Sequence, residues 1–351
     1  MKQRVFLGTS SGGRGLYVAW FDAERGLLTE PEMISDIPKP SWVRLADNGS
    51  LLVSSQPPGD GVSGELIAFA VDADGRLTQQ SKVQTGGQNP VAFDERGGVA
   101  VAVNYASGSA ASFRLTTGGN LEAVSLAVFD AAEHGPDPKR QDHSYAHDAT
   151  FALSGNFALI NDLGCDRIRI LSVDPATGTL AEHGAWHSVP GAGPRHITQH
   201  PNEKWVYNIN EMGCTIDHLD WDAAAGTLTT VSSVDTLPPG TSKTDVRACE
   251  IVFGKAHRFL YAANRVHEDF VVYAVADDGS LTEVQRVANP GKEARHIAID
   301  PTGKYLLAAN QFTDEILVFP IDPATGLLQP TVSGAAIKSP SCILFAQKKQ
   351  S

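Results

Sequence analysis

Gly178-Thr179-Leu180 and Gly226-Thr227-Leu228 are two copies of one short signal, a glycine next to a turn-forming residue with a leucine following. The same signal recurs along the chain, which gives seven copies in total. The other five are Gly26-Leu27-Leu28, Gly75-Arg76-Leu77, Gly119-Asn120-Leu121, Gly279-Ser280-Leu281 and Gly326-Leu327-Leu328. Glycine adopts the positive φ that a tight connection between antiparallel strands needs, and leucine returns the chain to an apolar face. Seven such turns predict seven hairpins.

Short runs with strand character surround these turns, and no convincing amphipathic helix separates them. Examples are Trp205-Val206-Tyr207-Asn208-Ile209, Phe259-Leu260-Tyr261-Ala262-Ala263, Ile168-Arg169-Ile170-Leu171-Ser172-Val173 and Ile316-Leu317-Val318-Phe319-Pro320-Ile321. A period of roughly 45–55 residues with four short strands is typical of a β-propeller blade. We therefore predict an all-β, seven-bladed β-propeller that occupies residues 1–351 as a single domain. Two stacked β-sandwiches are the alternative, but a sandwich does not require seven equivalent turns.

The two ends of the chain complete the repeat count. Repeats begin near Pro40, Asn89, Ala146, Pro194, Ala248 and Ala294. A seventh start, Pro340-Ser341-Cys342, has no further repeat after it, while the segment from Arg4 to Thr29 supplies strands that lack a start. We predict that the last strand joins the sheet of the first strands, which closes the ring and hides its edges.

Composition restricts the function classes. The 351 residues are 42% hydrophobic and 19% charged, and the formal net charge is −12. That charge argues against a general nucleic-acid binder, which presents a basic surface to phosphates. No window of about 20 apolar residues could span a bilayer.

The N-terminal segment turns polar at Gly8, too early for a signal peptide, so we expect a cytoplasmic protein. The four cysteines form no CxxC pair and are expected to be buried thiols: Cys165, Cys214, Cys249 and Cys342. We expect no cofactor, no membrane or nucleic-acid partner, and a monomer or homodimer.

Two columns of residues indicate where a site forms. In antiparallel pairing, the start of the first strand and the end of the second strand of each blade lie at the same mouth of the ring. The first column contains Ser41, Asn89, His147, Arg195, Cys249, Arg295 and Ser341, each with the residue that follows it. The second column contains Asn104-Tyr105, Asn161-Asp162, Asn210-Glu211, Asn264-Arg265 and Asn310-Gln311. Asparagine is common at turns for structural reasons, but the varied residue after each one is typical of ligand contact.

These columns place cationic, acidic and imidazole groups at one mouth. Guanidinium groups such as Arg195, Arg265 and Arg295 bind carboxylate or phosphate bidentately. Imidazole and carboxylate groups transfer protons near neutral pH. Acid–base addition of water to a lactone fits this set, with Arg195 or an imidazole at the oxyanion and either Glu211 or His147 as the base. We assign substrate binding to Asn104, Asp162, His196, Arg295, Gln311 and His143.

Other interpretations of the same residues stay open. A metal bound by Asp162, Glu211 and His196 is conceivable, although the ligand spacing is loose and we assign no metal. The two longest insertions, from Asp130 to Ala146 and from Thr236 to Arg247, are either a rim that recruits an anion or ordinary solvated loops. A propeller used only for binding is the alternative to an enzyme, because the architecture alone carries no function.

The sequence resembles the seven-bladed lactonase family that includes bacterial 6-phosphogluconolactonases and fungal 3-carboxy-cis,cis-muconate lactonising enzymes. The resemblance covers essentially the whole chain and is strongest in Gly191-Ala192-Gly193-Pro194-Arg195-His196, His200-Pro201-Asn202, Asn210-Glu211, Leu260-Tyr261, Asn264-Arg265 and Ala309-Asn310-Gln311. It implies catalytic roles for His147, Arg195, Glu211 and Arg265.

The resemblance also implies a hydrolase that opens a small anionic sugar lactone. The expected substrate is 6-phosphogluconolactone, on the pathway from glucose 6-phosphate. An unphosphorylated aldonic or aldaric lactone and the formation of a lactone from a carboxymuconate are the alternatives.

Overall fold

The computed structural model describes residues 2–73, 75–130, 132–153 and 156–346. In these ranges the chain forms seven antiparallel sheets, six of four strands and one of five. The only helix in the described residues is a single 3-10 turn, Leu163–Cys165, and no helix there is long and apolar enough to cross a membrane. The chain is therefore all-β, as the turn signal predicts.

The strands are numbered in chain order, and each sheet except the first takes four consecutive strands. The first sheet contains β1 (Lys2–Thr9), β2 (Leu16–Asp22), β3 (Leu27–Leu28) and β4 (Glu32–Ser35). The second sheet contains β5 (Val43–Leu45), β6 (Leu51–Ser55), β7 (Glu65–Val71) and β8 (Leu77–Gln84). The third contains β9 (Pro90–Arg96), β10 (Val99–Asn104), β11 (Ser109–Leu115) and β12 (Leu121–Val128). The fourth contains β13 (Ala146–Phe151), β14 (Phe157–Asp162), β15 (Arg167–Val173) and β16 (Leu180–His187). The fifth contains β17 (Pro194–Gln199), β18 (Trp205–Asn210), β19 (Thr215–Asp222) and β20 (Thr227–Asp235). The sixth contains β21 (Arg247–Phe253), β22 (Phe259–Arg265), β23 (Asp269–Val275) and β24 (Leu281–Ala288). The seventh contains β25 (Ala294–Ile299), β26 (Tyr305–Asn310), β27 (Glu315–Pro320) and β28 (Ser333–Ala336).

The remaining strand, β29 (Pro340–Ala346), belongs to the first sheet. It pairs antiparallel with β1, with Phe345 opposite Val5 and Ile343 opposite Leu7. The prediction that the last strand joins the sheet of the first strands is therefore confirmed.

The predicted hairpin turns are also confirmed. Six of the seven signal glycines lie between the third and fourth strands of their sheets, and Gly26 lies between β2 and β3. All seven have a φ between 65° and 88°. A side chain at these φ values is strained, whereas glycine is not. The repeated glycine is thus explained by backbone geometry.

The structure divides into two compact units, Arg44–Ser233 and the pair of segments Met1–Val43 and Val234–Ser351. We call them the middle unit and the terminal unit. In the terminal unit, Phe21, Ile316 and Ile343 pack in one core between neighbouring sheets. In the middle unit, Leu159, Ile170 and Trp221 belong to an equivalent core. Burial of each large apolar side chain stabilises the fold by about 1.5–3 kcal/mol.

The four cysteines are buried thiols, as predicted. Each lies in or next to a strand of a tightly packed sheet, so these thiols contribute to packing.

Candidate active site

A β-bulge is a repeated feature of the sheets, and it lies at the start of the strand that begins each sequence repeat. In the described pairings, β18 runs opposite β17 so that Asn210 faces Pro194 and Ile209 faces His196, which leaves Arg195 as an extra residue. The same register shift occurs in five other sheets, where the extra residues are Val91, His147, Cys249, Arg295 and Ser341. A bulge redirects a side chain out of the regular alternation of the strand. His147, Arg195 and Arg295, all predicted site residues, therefore occupy special backbone positions.

The register corrects one position in each of the two predicted columns. Asp162 faces Ala146 in the same way that Asn210 faces Pro194. The amide of Leu163 donates to the carbonyl of Tyr145 (3.0 Å), whereas the amide of Glu211 donates to the carbonyl of Gly193 (2.7 Å). Asp162 is therefore equivalent to Asn210 and not to Glu211, and the alignment of Asn161-Asp162 with Asn210-Glu211 is wrong by one residue.

The contacts of Asp162 agree with this correction. Its carboxylate is fully buried and accepts hydrogen bonds from the hydroxyl of Ser144 (2.7 Å), the amide of Tyr145 (3.0 Å) and Nε of Arg169 (2.8 Å). The Asn161-Asp162 dipeptide imitates the Asn–polar pattern of the other strand ends one residue too early, so the sequence alone does not reveal the shift. Asp162 acts as a structural anchor in this arrangement.

Asn89 is misaligned as well, because the bulged residue of its strand is Val91. Asn104 lies at a true strand end and is fully buried. Its amide nitrogen donates to the hydroxyl of Ser109 (3.0 Å) and the carbonyl of Thr85 (3.2 Å). These contacts favour the structural role of the asparagines.

A buried ion pair forms the centre of the candidate site in the middle unit. Nε of Arg195 lies 3.1 Å from one carboxylate oxygen of Glu211, and the two side chains are only 1% and 4% exposed. The other oxygen of Glu211 accepts a hydrogen bond from Nη2 of Arg140 at 2.5 Å. Because buried charges are costly unless they are paired and hydrogen-bonded, this arrangement fixes all three side chains.

The glycine-rich bend before β17 positions this pair. Gly191 and Gly193 have φ values of 84° and 65°. Their amides donate to the two carboxylate oxygens of Asp166, at 2.7 and 2.8 Å. The carbonyl of Gly193 in turn accepts the amide of Glu211. The bend thus shapes the backbone around Arg195 through the carboxylate of Asp166, a residue that the sequence analysis did not single out.

Asp166 could have been found by a pattern of spacing. It lies four residues after Asp162, and Gly108, Cys214, Glu268 and Asp314 lie four residues after the equivalent residues Asn104, Asn210, Asn264 and Asn310. All five have φ between 48° and 57°. Three of the five are acidic. Glu268 accepts the amide of Glu293 (2.9 Å) and Asp314 accepts the amide of Ser339 (2.9 Å), each from the loop before the next sheet. The acidic residues of these turns therefore hold the loops that lead to the bulges.

Imidazole and phenol rings lie beside one another in the middle unit. The ring centroids of His147 and His196 are 5.0 Å apart, and Tyr105 contacts His147 edge to face at 5.5 Å. His147 and His196 are both buried. Tyr105 also contacts Tyr145 at 4.8 Å. His147 and His196 thus belong to one ring cluster, which we call the imidazole cluster.

The predicted residue His143 extends this cluster toward solvent. Its ring contacts Tyr145 at 4.0 Å, and its Nε2 lies 3.3 Å from the carbonyl of Ala106. The hydroxyl of Tyr145 donates to Asp142 at 2.8 Å. Burial and the Asp142 carboxylate raise the pKa of Tyr145 to about 12. Tyr145 is therefore a neutral phenol at physiological pH.

Arg140 contacts the ion pair but is not among the predicted site residues, although the insertion that contains it was noted. Burial alone would lower the pKa of Arg140, but Glu211 and a hydrogen bond with Tyr105 hold that pKa above its ordinary value. Arg140 thus connects the ion pair to the imidazole cluster. An irregular insertion has no periodicity, so no sequence signal identifies the one cation in it that turns inward.

The terminal unit contains the remaining predicted residues. Arg265 is buried, and its Nη1 lies 2.9 Å from a carboxylate oxygen of Glu293. Arg295 is half-buried at its bulge. Gln311 donates to the hydroxyls of Ser10 (2.8 Å) and Ser339 (3.2 Å), so its amide ties three segments together.

The predicted metal alternative gains no support from the arrangement. Asp162 and Glu211 each face arginine side chains. In the ranges that the structure describes, no group of three or more His, Cys, Asp or Glu residues is placed to hold a metal ion. What the middle unit offers is a pair of guanidinium groups on one carboxylate, with two imidazoles in the neighbouring cluster. Such groups can polarise a carbonyl oxygen and accept or donate a proton.

Comparisons with known proteins agree with this chemistry. A family model described as "Lactonase, 7-bladed beta-propeller" matches residues 4–345, which confirms the predicted fold class. A 6-phosphogluconolactonase from Bacillus subtilis is 31% identical over 343 residues, which cover 96% of each chain. A 6-phosphogluconolactonase from Formosa agariphila is 28% identical over 90% of this chain and 91% of the relative.

A solved structure gives the same result. The periplasmic gluconolactonase of Pseudomonas aeruginosa superimposes with a TM-score of 0.91 at 25% identity, and the match covers 99% of each chain.

Proposed function

The chain belongs to the family of seven-bladed β-propeller lactonases, and from this premise we propose that it hydrolyses a sugar-acid lactone, 6-phosphogluconolactone, to 6-phosphogluconate. The observation that carries the proposal is the buried Arg195–Glu211 pair, whose carboxylate also binds Arg140, in the same unit as His147 and His196. The substrate comes from the relatives named 6-phosphogluconolactonase, one of which matches almost end to end. Arg265 stays a catalytic candidate on the strength of the family resemblance.

The contacts of Glu211 favour His147 as the base. Each carboxylate oxygen of Glu211 already accepts a hydrogen bond from a guanidinium group. A carboxylate in this position orients the arginines and offers little basicity to a water molecule. Histidine has an ordinary pKa near neutrality and changes its proton readily.

The reaction then runs in two proton transfers. His147 takes a proton from water while the hydroxide adds to the lactone carbonyl, and a guanidinium group stabilises the oxyanion. The tetrahedral intermediate collapses with cleavage of the bond to the ring oxygen. The imidazolium returns its proton to that oxygen, which leaves an open-chain acid with a new hydroxyl group. The net reaction consumes one water molecule.

Freshly prepared lactones test the proposal. Hydrolysis of 6-phosphogluconolactone by the wild type is measured against the spontaneous rate, with His147→Ala, Glu211→Gln and the control His187→Ala, an exposed histidine on β16. We expect kcat to fall by about 100-fold or more for His147→Ala, the usual contribution of a general base. His187→Ala should retain wild-type activity. Turnover that is unaffected by both site variants would remove the catalytic assignment.

An unphosphorylated lactone is the second candidate substrate. The similarity to the periplasmic gluconolactonase of Pseudomonas aeruginosa favours it, at a TM-score of 0.91. The same assay with gluconolactone separates the two candidates by kcat/KM. A carboxymuconate in the panel tests the lactone-forming direction.

The cellular location depends on the same choice. A phosphorylated lactone as the substrate is consistent with a cytoplasmic enzyme, so we propose the cytoplasm as the location of this protein. Fractionation of cells that express the full chain decides between the cytoplasm and the periplasm of the Pseudomonas relative. Size-exclusion chromatography with light scattering decides between a monomer and a homodimer.

A further inference from the structure

The insertion between β12 and β13 is held in place by buried polar contacts. Gln141 is fully buried, and its amide nitrogen donates to the carbonyl of Leu163 (2.8 Å) and to Asp166 (2.7 Å). Glu133, at the other end of the insertion, pairs with Arg167 (2.9 Å) and Arg169 (2.6 Å). The insertion is therefore held to the middle unit at Glu133 and at Gln141, which favours a rim over an ordinary solvated loop.

Its C-terminal half packs against a glycine that admits no side chain. A Cβ atom at Gly164 would lie 1.9 Å from the carbonyl oxygen of His143 and 2.7 Å from the amide of Tyr145. Arg140 thus directly precedes a segment that is held by Gln141 and by this close approach.

The two arginines on Glu211 differ in their access to solvent. The side chain of Arg195 is 1% exposed, whereas that of Arg140 is 28% exposed. Arg195 is therefore the inner guanidinium and Arg140 the outer one. A ligand that approaches from solvent meets Arg140 first.

Arg140 and Arg195 share the carboxylate of Glu211. A guanidinium group carries several N–H donors, and a carboxylate or phosphate can bind two of them at once. An anionic group on the ligand is therefore a suitable further partner for Arg140, the outer guanidinium.

We propose that Arg140 binds the phosphate of the substrate and product and so makes the site selective for a phosphorylated sugar acid. A guanidinium group presents several N–H donors in a fixed plane, which suits a phosphate monoester. Glu211 and Tyr105 hold one part of the Arg140 guanidinium, and because the side chain is 28% exposed, its other N–H donors can be reached from solvent. This inference rests on the proposed function, because it names the recognised group of that substrate.

Binding of product tests the inference without turnover. Isothermal titration calorimetry with 6-phosphogluconate and with gluconate is performed on the wild type, Arg140→Met, Arg140→Lys and Lys139→Met. Lys139 is the adjacent exposed cation, so its variant makes the same change in net charge. We expect Arg140→Met to weaken the binding of 6-phosphogluconate about tenfold or more, which is a normal loss for a charge-assisted hydrogen bond. The binding of gluconate should weaken less than about threefold. Lys139→Met should stay within about twofold of the wild type, and Arg140→Lys should be intermediate because it keeps the charge but not the fork.

The alternative is that Arg140 acts only by positioning Glu211. In that case the binding of both acids weakens equally, and kcat falls for phosphorylated and unphosphorylated lactones alike. Equal losses, no loss, or a wild type that binds neither acid would overturn the inference. Circular dichroism verifies folding, and Arg140→Lys serves the comparison if the methionine variant is unfolded.

The outcome separates this inference from the proposed function. A wild type that hydrolyses no lactone refutes the function even if Arg140→Met selectively loses 6-phosphogluconate. A wild type that hydrolyses the lactone while Arg140→Met binds 6-phosphogluconate normally refutes the inference alone.

Discussion

The middle and terminal units each contain a buried arginine–carboxylate pair, and the two pairs are built in opposite ways. In the middle unit, Arg195 occupies the bulge of β17 and its partner Glu211 follows the end of β18. In the terminal unit, Arg265 lies at the end of β22 and its partner Glu293 precedes β25 of the next sheet. The first pair is internal to a sheet, and the second joins successive sheets.

The surroundings of the pairs differ in charge as well. Glu211 receives a second guanidinium, from Arg140, whereas Glu293 has the carboxylate of Glu268 next to its amide. Burial and the nearby Glu293 raise the pKa of Glu268. The carboxylate in the middle unit thus has two arginine partners, and the pair in the terminal unit has a second carboxylate beside it. This difference agrees with our proposal that the anionic lactone binds in the middle unit.

The largest expected effect is at Glu211. In Glu211→Gln, two guanidinium groups lose the carboxylate between them, so kcat/KM should fall about 1000-fold or more and the free energy of unfolding by about 3 kcal/mol. Lactone hydrolysis and urea unfolding measure the two effects. If Glu211→Gln is as stable as the wild type, the pair does not stabilise the middle unit.

A smaller loss is expected at Asp166, which holds the bend before Arg195. Asp166→Ala leaves the amides of Gly191 and Gly193 and the amide nitrogen of Gln141 without their acceptor. Each lost acceptor costs on the order of 1 kcal/mol, so unfolding should become about 2–3 kcal/mol easier and kcat/KM should fall about tenfold. Asp314→Ala is the matched control at the equivalent turn, and it should reduce stability without changing the KM.

Glu293→Gln should cost less than Glu211→Gln in stability, about 1–2 kcal/mol. Its neighbour Glu268 remains as a source of negative charge near Arg265, and a glutamine oxygen still accepts a hydrogen bond from Nη1. Urea unfolding of the two Gln variants side by side measures the difference. Equal losses would show that the second carboxylate does not matter.

The smallest effect is a pH dependence at Glu268. Because its pKa is higher in the folded state than in the unfolded state, the folded protein binds more protons across that range, and stability falls as pH rises through it. Glu268→Gln removes this loss. The stability of the variant relative to wild type should therefore increase between about pH 4 and pH 7, by less than about 1 kcal/mol since the group is partly solvated. Thermal melting across this range measures the trend, and an opposite trend would contradict the assignment.

The fold could be predicted almost entirely from the sequence, because its cause is local. Each of the seven glycines satisfies a backbone requirement of its own hairpin, and strand patterns depend on neighbouring residues. The pairing of β29 with β1 followed from counting repeats. Such features repeat with a period, and a single chain displays that period.

The candidate site could be predicted only in part. Arg195, Glu211 and His147 were identified by the repeat and the family resemblance, but their contacts depend on tertiary structure. Asp162 was misplaced because a one-residue shift at a bulge leaves no mark in composition. Arg140 was missed because its position is fixed by Gln141 and Gly164, which lie outside any repeated motif.

The pairing of β29 with β1 has a consequence for biosynthesis. The ribosome releases β1, β2 and β3 long before it makes β29, so the exposed edge of β1 stays without its partner while residues 10–339 are synthesised. An open strand edge invites association with other nascent chains. The polar residues at the start of β1, Lys2, Gln3 and Arg4, lower that risk during translation. The open edge disappears when the seven-residue strand β29 pairs with β1.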